Sequence, residues 1–458
     1  MAWIDPEALF LAGPAIEAHA FWLDGGPHAE SGWSWLGTGE PAPGLPDDVP
    51  LAVSHGASPP EGDIEVPGGF AGGWVGWSGY DAGARRAGAP ARRDTDAPED
   101  AAIRVTHLVA FDHAARRAWI LAPDGDERVV AEVEAWCRRA RENAPPSGER
   151  LPEPTPSRTA KARHTPEDYG VLISRCRDAI RAGDAYQLCL TTRFEVDAAD
   201  GPIDAVATYL RLRRAQPAHH GGMLRCGPSA LLSASPEQFL HVRDGIVRTR
   251  PIKGTRPRGA DPDSDAEHAA DLLASPKERA ENVMIVDLMR NDLHRVCVPG
   301  TVAAERLLEV ESYPAVHQLV STVAGRLLPG TTTGDLMAAA FPAGSMTGAP
   351  KLSAMTVLHT LEAAPRGVYA GCFGWVGTDG AADLAMTIRS VVVHSGGAYV
   401  GAGGGITWLS ETDAELAEVA VKARGPLAAL GAELPPAWAA LDGPDGPAEA
   451  GRAVPPVR

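Results

Sequence analysis

Lysine is scarce in this chain: 458 residues include only five, at positions 161, 253, 277, 351 and 422, against 37 arginines. Positive charge is short altogether. Lys plus Arg number 42 against 59 Asp plus Glu, a net charge of -17, which excludes the basic footprint of a nucleic-acid binder or an anionic-membrane binder. No apolar run approaches the roughly 18 residues of a membrane span, and the first residues carry no basic leader, so the expected location is cytoplasmic. The six cysteines (137, 176, 189, 226, 297 and 372) form no Cys-x-x-Cys pair, which leaves reduced core thiols. HExxH, GxSxG and Walker A sequences are absent. The glycine run GAGGGI (401–406) fails the dinucleotide pattern because Ile406 stands where its last glycine belongs.

What is present is ordinary in bulk: 44 % apolar and 22 % charged residues suit a globular enzyme acting on a small molecule. At about 150 residues per domain, the length allows about three domains or one large body. Residues 1–142 form an amino-terminal region with strand-like runs at 71–80, 107–111 and 118–121, a loop by composition at 81–101 and a helix at 127–141. Segment 143–164, rich in Pro and polar residues, reads as a linker. The catalytic region, 165–433, predicts helices at 166–182 and 203–214 and strands at 187–196, 229–242 and 245–249. Between 371 and 408, three strand runs are separated by Asp379-Gly380 and Gly396-Gly397, which are antiparallel hairpin signals. The class is α+β. Residues 434–458, rich in Pro, Gly and Ala, read as a disordered tail whose removal leaves stability unchanged.

Two helices carry paired acids. Glu278 and Glu281 are spaced i, i+3 in SPKERAENVMIVDLMRND, as are Glu415 and Glu418 in TDAELAEVAVKAR, with Lys422 one turn beyond. Facing pairs of this kind would supply hard oxygen ligands for Mg²⁺. Ser275–Glu278 and Thr412–Glu415 equally match the capping box, whereas Glu281 and Glu418 lie one turn deeper. Lys253 sits in RTRPIKGTRPRG among Arg248, Arg250, Arg256 and Arg258, cations that favour the neutral amine a nucleophile requires. The same loop would serve equally as solvated surface or as a passive anion site. The glycine run lets backbone approach either a ligand or another strand.

Seven segments, SPEQF (235–239), PIKGTRPRG (251–259), ERAENVMIVDLMRNDL (278–293), FPAGSMTGAPK (341–351), YAGCFGWVG (369–377), TIRS (387–390) and GAGGGITWLS with AELAEVAVK (401–422), occur in order. Together they resemble the chorismate-utilising enzymes, and among them the aminodeoxychorismate synthase component I branch. FWLDGG (21–26) and GGWVGWSGYD (72–81) resemble the same family's amino-terminal region. The resemblance implies a single compact body of two large antiparallel sheets flanked by helices, with Mg²⁺ at Glu278, Glu281, Glu415 and Glu418. It implies that Lys253 attacks C2 of chorismate, that Glu237 is the general acid/base at the departing hydroxyl, and that ammonia then adds at C4. It assigns Arg389, Tyr369, Ser345, Gly403, Gly405, Lys422 and Gln318 to substrate binding. At Gln318 most relatives carry His, and Gln cannot titrate; the neighbouring His317 is the only nearby substitute. The implied partners are chorismate, ammonia and a separate glutaminase subunit, with no nucleic acid or membrane. Anthranilate synthases usually have Ala in place of the lysine. They, the isochorismate or salicylate synthases and a non-catalytic chorismate binder are the alternatives.

Overall fold

The computed structural model describes residues 1–51, 67–122, 125–142, 158–313 and 316–441. Local sequence sets many elements directly. Thr165 caps helix Pro166–Ala182 by accepting from the Asp168 N–H, Pro166 opens it, and Gly183 closes it at φ 86°.

Strands dominate the middle of the molecule. Antiparallel pairing runs from Gln187–Asp197 through Gly397–Ile406, Ser390–His394, Ser229–Ser235, His220–Cys226, His19–Asp24 and Trp33–Ala42 to Asp100–Asp112. From that last, 13-residue strand it continues through Gly73–Ser78, Cys372–Gly377, Ala382–Met386, Gln238–Arg243, Ile246–Thr249 and Val316–Arg326 to Ala303–Ser312. Asp100–Asp112 thus lies in the middle of one continuous antiparallel sheet. The amino-terminal strands form a block in this order with carboxyl-terminal strands on both sides, so the two regions form one body.

Alternation along the strands builds two cores. Phe21, Leu23 and Leu231 face a core shared with Val75, Trp77, Leu240 and Phe373 from the strands beyond Asp100–Asp112, whereas Trp22, Ala230 and Leu232 face helices Pro166–Ala182, Ala205–Ala215 and Thr412–Ala429. The cysteines of the described residues are all free, and five of the six are buried. Among the described residues no helix is long and apolar enough to cross a membrane.

Three boundaries differ from the sequence reading. Residues 80–86, inside the expected loop, form a helix whose last turn is held by Arg85–Glu99 and Arg86–Asp100 ion pairs. The linker's end is built into the sheets: Arg158–Thr159 lies parallel to Ala432–Glu433, and Lys161–Ala162 pairs with Glu195 and Phe194; residues 143–157 lie outside the described residues. The expected disordered tail begins too early at 434, because Trp438 is 1 % exposed, packs on Tyr169 and Phe194, and donates its indole N–H to the His164 carbonyl. An indole with a satisfied N–H inside a core is ordered chain. The rest of that tail, 442–458, lies outside the described residues.

Candidate active site

Glu237 lies where a strand stops. The run 229–242 reads as one strand, but pairing halts between Ser235 and Gln238, since Pro236 has no N–H to donate. The Glu237 carbonyl instead accepts from the Met386 N–H at 3.0 Å. Its carboxyl is 8 % exposed; burial pushes its pKa up to about 7, while Lys253, Ser345 and Lys422 draw it back. Four residues that the resemblance groups therefore share one space.

Lys253 stands opposite Leu319 on strand Ile252–Pro257, just before a bulge at Gly254 with φ 78°. A Cβ on Gly405 would stand 3.6 Å from Lys253 Nζ and only 2.3 Å from Gln187 Nε2. The Gln187 amide fills the space a side chain at 405 would need, and Lys253 Nζ stands beside it at van der Waals distance. Gln187, 0 % exposed, has no hydrogen-bond partner for either amide atom among the described residues. Sequence reasoning passed over Gln187; the available signal was a polar residue just before the apolar run Leu188–Leu190. The four arginines around Lys253 do not form the cationic surround that the sequence suggests. Each is tied to an acid: Arg248 to Glu305, Arg250 to Glu311, Arg256 to Asp271 and Arg258 to Asp265.

The glycine run meets both a strand and open space. Ser390–His394 pairs with Gly397–Ile406 only as far as Val400, so beyond it one edge of that strand has no strand neighbour among the described residues. Lys422 Nζ donates to the Gly403 carbonyl at 2.8 Å on that free edge and pairs with Glu418 at 2.5 Å. Side chains are excluded here. A Cβ on Gly401 would meet the Tyr369 ring at 2.1 Å, and one on Gly403 the Leu190 carbonyl at 2.3 Å.

Arg389 also interrupts a strand run. Pairing breaks between Met386 and Ser390, and Arg389 adopts φ 51°, a left-handed conformation that a non-glycine residue holds only when its surroundings impose it. Burial lowers its pKa, against Glu418 and Tyr369, which raise it. Burial raises that of Tyr369. Ser345, 8 % exposed, lies on the short helix Gly344–Thr347.

The acid pairs come from helices Pro276–His294 and Thr412–Ala429. Ser275 does cap the first, but the second has Glu411 at its N-cap, with no side-chain bond, so the Thr412–Glu415 box does not form. Burial raises the pKa of Glu281, helped by Glu278 and Glu415, and burial raises that of Glu415, helped by Glu418. Burial would raise Glu418 too, but Lys422, Lys253 and Lys277 bring it below the ordinary value. Among the described residues no three His, Cys, Asp or Glu side chains stand together as a formed ligand cluster. Glu281 senses the charge of Glu278 and Glu415, and Glu415 that of Glu418, so the two helices bring carboxylates near one another; oxygen donors of this kind suit a hard cation.

Gln318 is buried opposite Thr255, next to the Lys253–Leu319 pair. His317 does not replace the missing histidine: its ring is bound to Ser312 and to Asp265, at 2.8 and 2.9 Å.

Fold and site together put an amine, a buried carboxyl and a glycine-rich free strand edge near one another in an α+β body. The family model described as chorismate binding enzyme matches residues 50–428, and the chain belongs to that family. It is 41 % identical over 367 residues to the aminodeoxychorismate synthase of Streptomyces pristinaespiralis, covering 78 % of this chain and 50 % of the relative, so the chain spans about half that relative's length. It is 40 % identical over 351 residues to aminodeoxychorismate synthase component 1 of Klebsiella aerogenes, covering 76 % of this chain and 75 % of the relative. The crystal structure of anthranilate synthase component I from Streptococcus pneumoniae superposes with a TM-score of 0.68 at 31 % identity, covering 79 % of this chain and 81 % of that one.

Proposed function

We propose that this chain aminates chorismate at C4 to give 4-amino-4-deoxychorismate, the precursor of 4-aminobenzoate and folate. The observation that carries the reading is Lys253 standing near enough to the buried Glu237 for its charge to act on that carboxyl, which burial raises to about 7. Relatives named aminodeoxychorismate synthase support it; the anthranilate synthase likeness makes the lysine the discriminating residue.

The Lys253 amine forms a C–N bond at C2 while the ring double bond shifts and the C4–O bond breaks. Glu237 gives its proton to the departing hydroxyl, which leaves as water. Ammonia then bonds at C4, the double bond shifts back and the lysine amine is expelled. The ammonium formed at C4 returns a proton to Glu237, which restores both groups. Arg389, Tyr369, Ser345, Gln318, the free-edge backbone at Gly403 and Gly405, and Lys422 hold the substrate's anionic and enolpyruvyl groups.

Glu281 and Glu418, with Glu278 and Glu415, would hold Mg²⁺, which neutralises a substrate carboxylate when bound. Glu281→Ala should abolish Mg²⁺ binding by titration calorimetry; undiminished binding would move the ion elsewhere. We read the enzyme as cytoplasmic, taking ammonia from a separate glutaminase subunit, as the component 1 name of the Klebsiella relative suggests. Lys253→Ala tests the reading: with ammonium supplied, the 4-amino product should disappear. Wild-type turnover by that variant would rule out the covalent step.

A further inference from the structure

Strand Gln187–Asp197 bears the glycine run on one edge and has a gap on the other. Gly348–Ala349 covers that outer edge at Gln187 and Leu188, and Lys161–Ala162 covers it at Phe194 and Glu195. Between them a buried ion pair replaces a strand. Arg366 Nη2 donates to the Cys189 carbonyl at 2.7 Å, and Glu362 Oε1 accepts from both the Thr191 N–H and its hydroxyl at 2.9 Å. Cys189 lies opposite Gly405 and Thr191 opposite Gly403.

The same pair reaches two more parts of the site. Arg366 Nη1 donates to the carbonyl of Met346, the neighbour of Ser345, and Nε and Nη2 hold both Glu362 oxygens at 2.8 and 2.7 Å. The Arg366 and Gly367 N–H groups donate to Asp81, at 2.9 and 2.7 Å, which fixes the loop leading into Tyr369. The Arg366 guanidinium lies 4.0 Å over the Tyr80 ring. Arg366 and Glu362 are 3 and 5 % exposed.

We infer that the Arg366–Glu362 pair is the positioning device of the substrate cradle, setting the backbone behind Gly403, Gly405, Ser345 and Tyr369. Neither side chain touches substrate. This rests on the functional reading above, since it takes those four residues to bind chorismate. Substrate affinity, and not only stability, therefore depends on the pair, because a cradle displaced by a fraction of an ångström loses its alignment.

Two variants test it, with chorismate Kd by titration calorimetry, KM for chorismate and for ammonium, and melting temperature. Arg366→Lys keeps the charge but cannot span Glu362, Met346 and Cys189 together. Its chorismate Kd and KM should rise by about tenfold or more, with KM for ammonium within about twofold of wild type. Thr191→Val keeps shape and fold while losing one bond to Glu362, and should raise chorismate Kd by about two- to fivefold. It decides the matter should Arg366→Lys fail to fold. Lower melting temperatures with chorismate Kd unchanged would overturn the inference alone. A wild-type chain that binds no chorismate would overturn the functional reading and the inference with it.

Discussion

Two clusters of buried polar groups share strand Gln187–Asp197, and they are finished to different degrees. The support cluster is densely paired: Arg366 makes four side-chain donations, and Asp81 accepts from two backbone N–H groups. The cluster around Lys253 and Glu237 is not: Gln187 beside it has two orphaned amide atoms among the described residues, whereas a carboxyl raised by burial to about 7 occurs on both sides, at Glu237 and at Asp81. Buried polar groups are normally satisfied, so the open Gln187 amide marks the Lys253 side of the strand as the less complete of the two.

Changes to the cleft should damage chemistry and spare stability. Glu237→Gln is the strongest case, with an expected loss of about 10²- to 10⁴-fold in kcat. In the wild type the protonated acid is lost as pH rises through about 7, so the rate should fall there, and the variant should lack that limb. The folded-state pKa lies above the ordinary carboxyl value, so this group's contribution to stability is full at low pH and lost as pH rises through about 7. Melting scans should accordingly show Glu237→Gln more stable than wild type near pH 8 and level with it near pH 4; a variant less stable near pH 8 would contradict the assignment.

Changes to the supporting side should do the reverse. Truncation after residue 433 removes Trp438 from Tyr169, which itself donates to the Leu190 carbonyl of the shared strand at 2.8 Å. Losing a buried indole typically costs about 3–5 kcal/mol, so a clear drop in melting temperature is expected. An unchanged melt would restore the tail boundary at 434. The smallest effect on stability belongs to Gln187→Met, which should leave the melt unchanged or raise it by about 1 kcal/mol equivalent while weakening chorismate binding. A marked loss of stability would show that the amide is satisfied in solution and that the two clusters do not differ as described.

Much of this was legible in the sequence wherever the signal is local. Helix Pro166–Ala182 was readable to the residue from Thr165, Pro166 and Gly183, and the hairpins from their Asp-Gly and Gly-Gly turns. The breaks were less so. Apolar content runs on through 229–242 and 381–395; Pro236 was the one local sign of the first break, and nothing local announces the second, at Thr387–Arg389. Those breaks are where Glu237 and Arg389 leave the sheet, so the positions proposed to act on substrate are ones that depart from strand periodicity. The arginines around Lys253 misled for a related reason: Arg250 finds its acid 61 residues away, beyond any local pattern. The family motifs located Lys253 and Glu237 but not Gln187 or the Arg366–Glu362 pair, whose roles appear only once the strand edges are known.

The decisive measurement is mass-resolved product analysis of the pure chain given chorismate, Mg²⁺ and ammonium, with a 4-aminobenzoate-forming lyase added to half of the sample. A 4-amino-4-deoxychorismate signal that the lyase converts to 4-aminobenzoate is the predicted result. Anthranilate, isochorismate or salicylate instead would contradict the role given to Lys253.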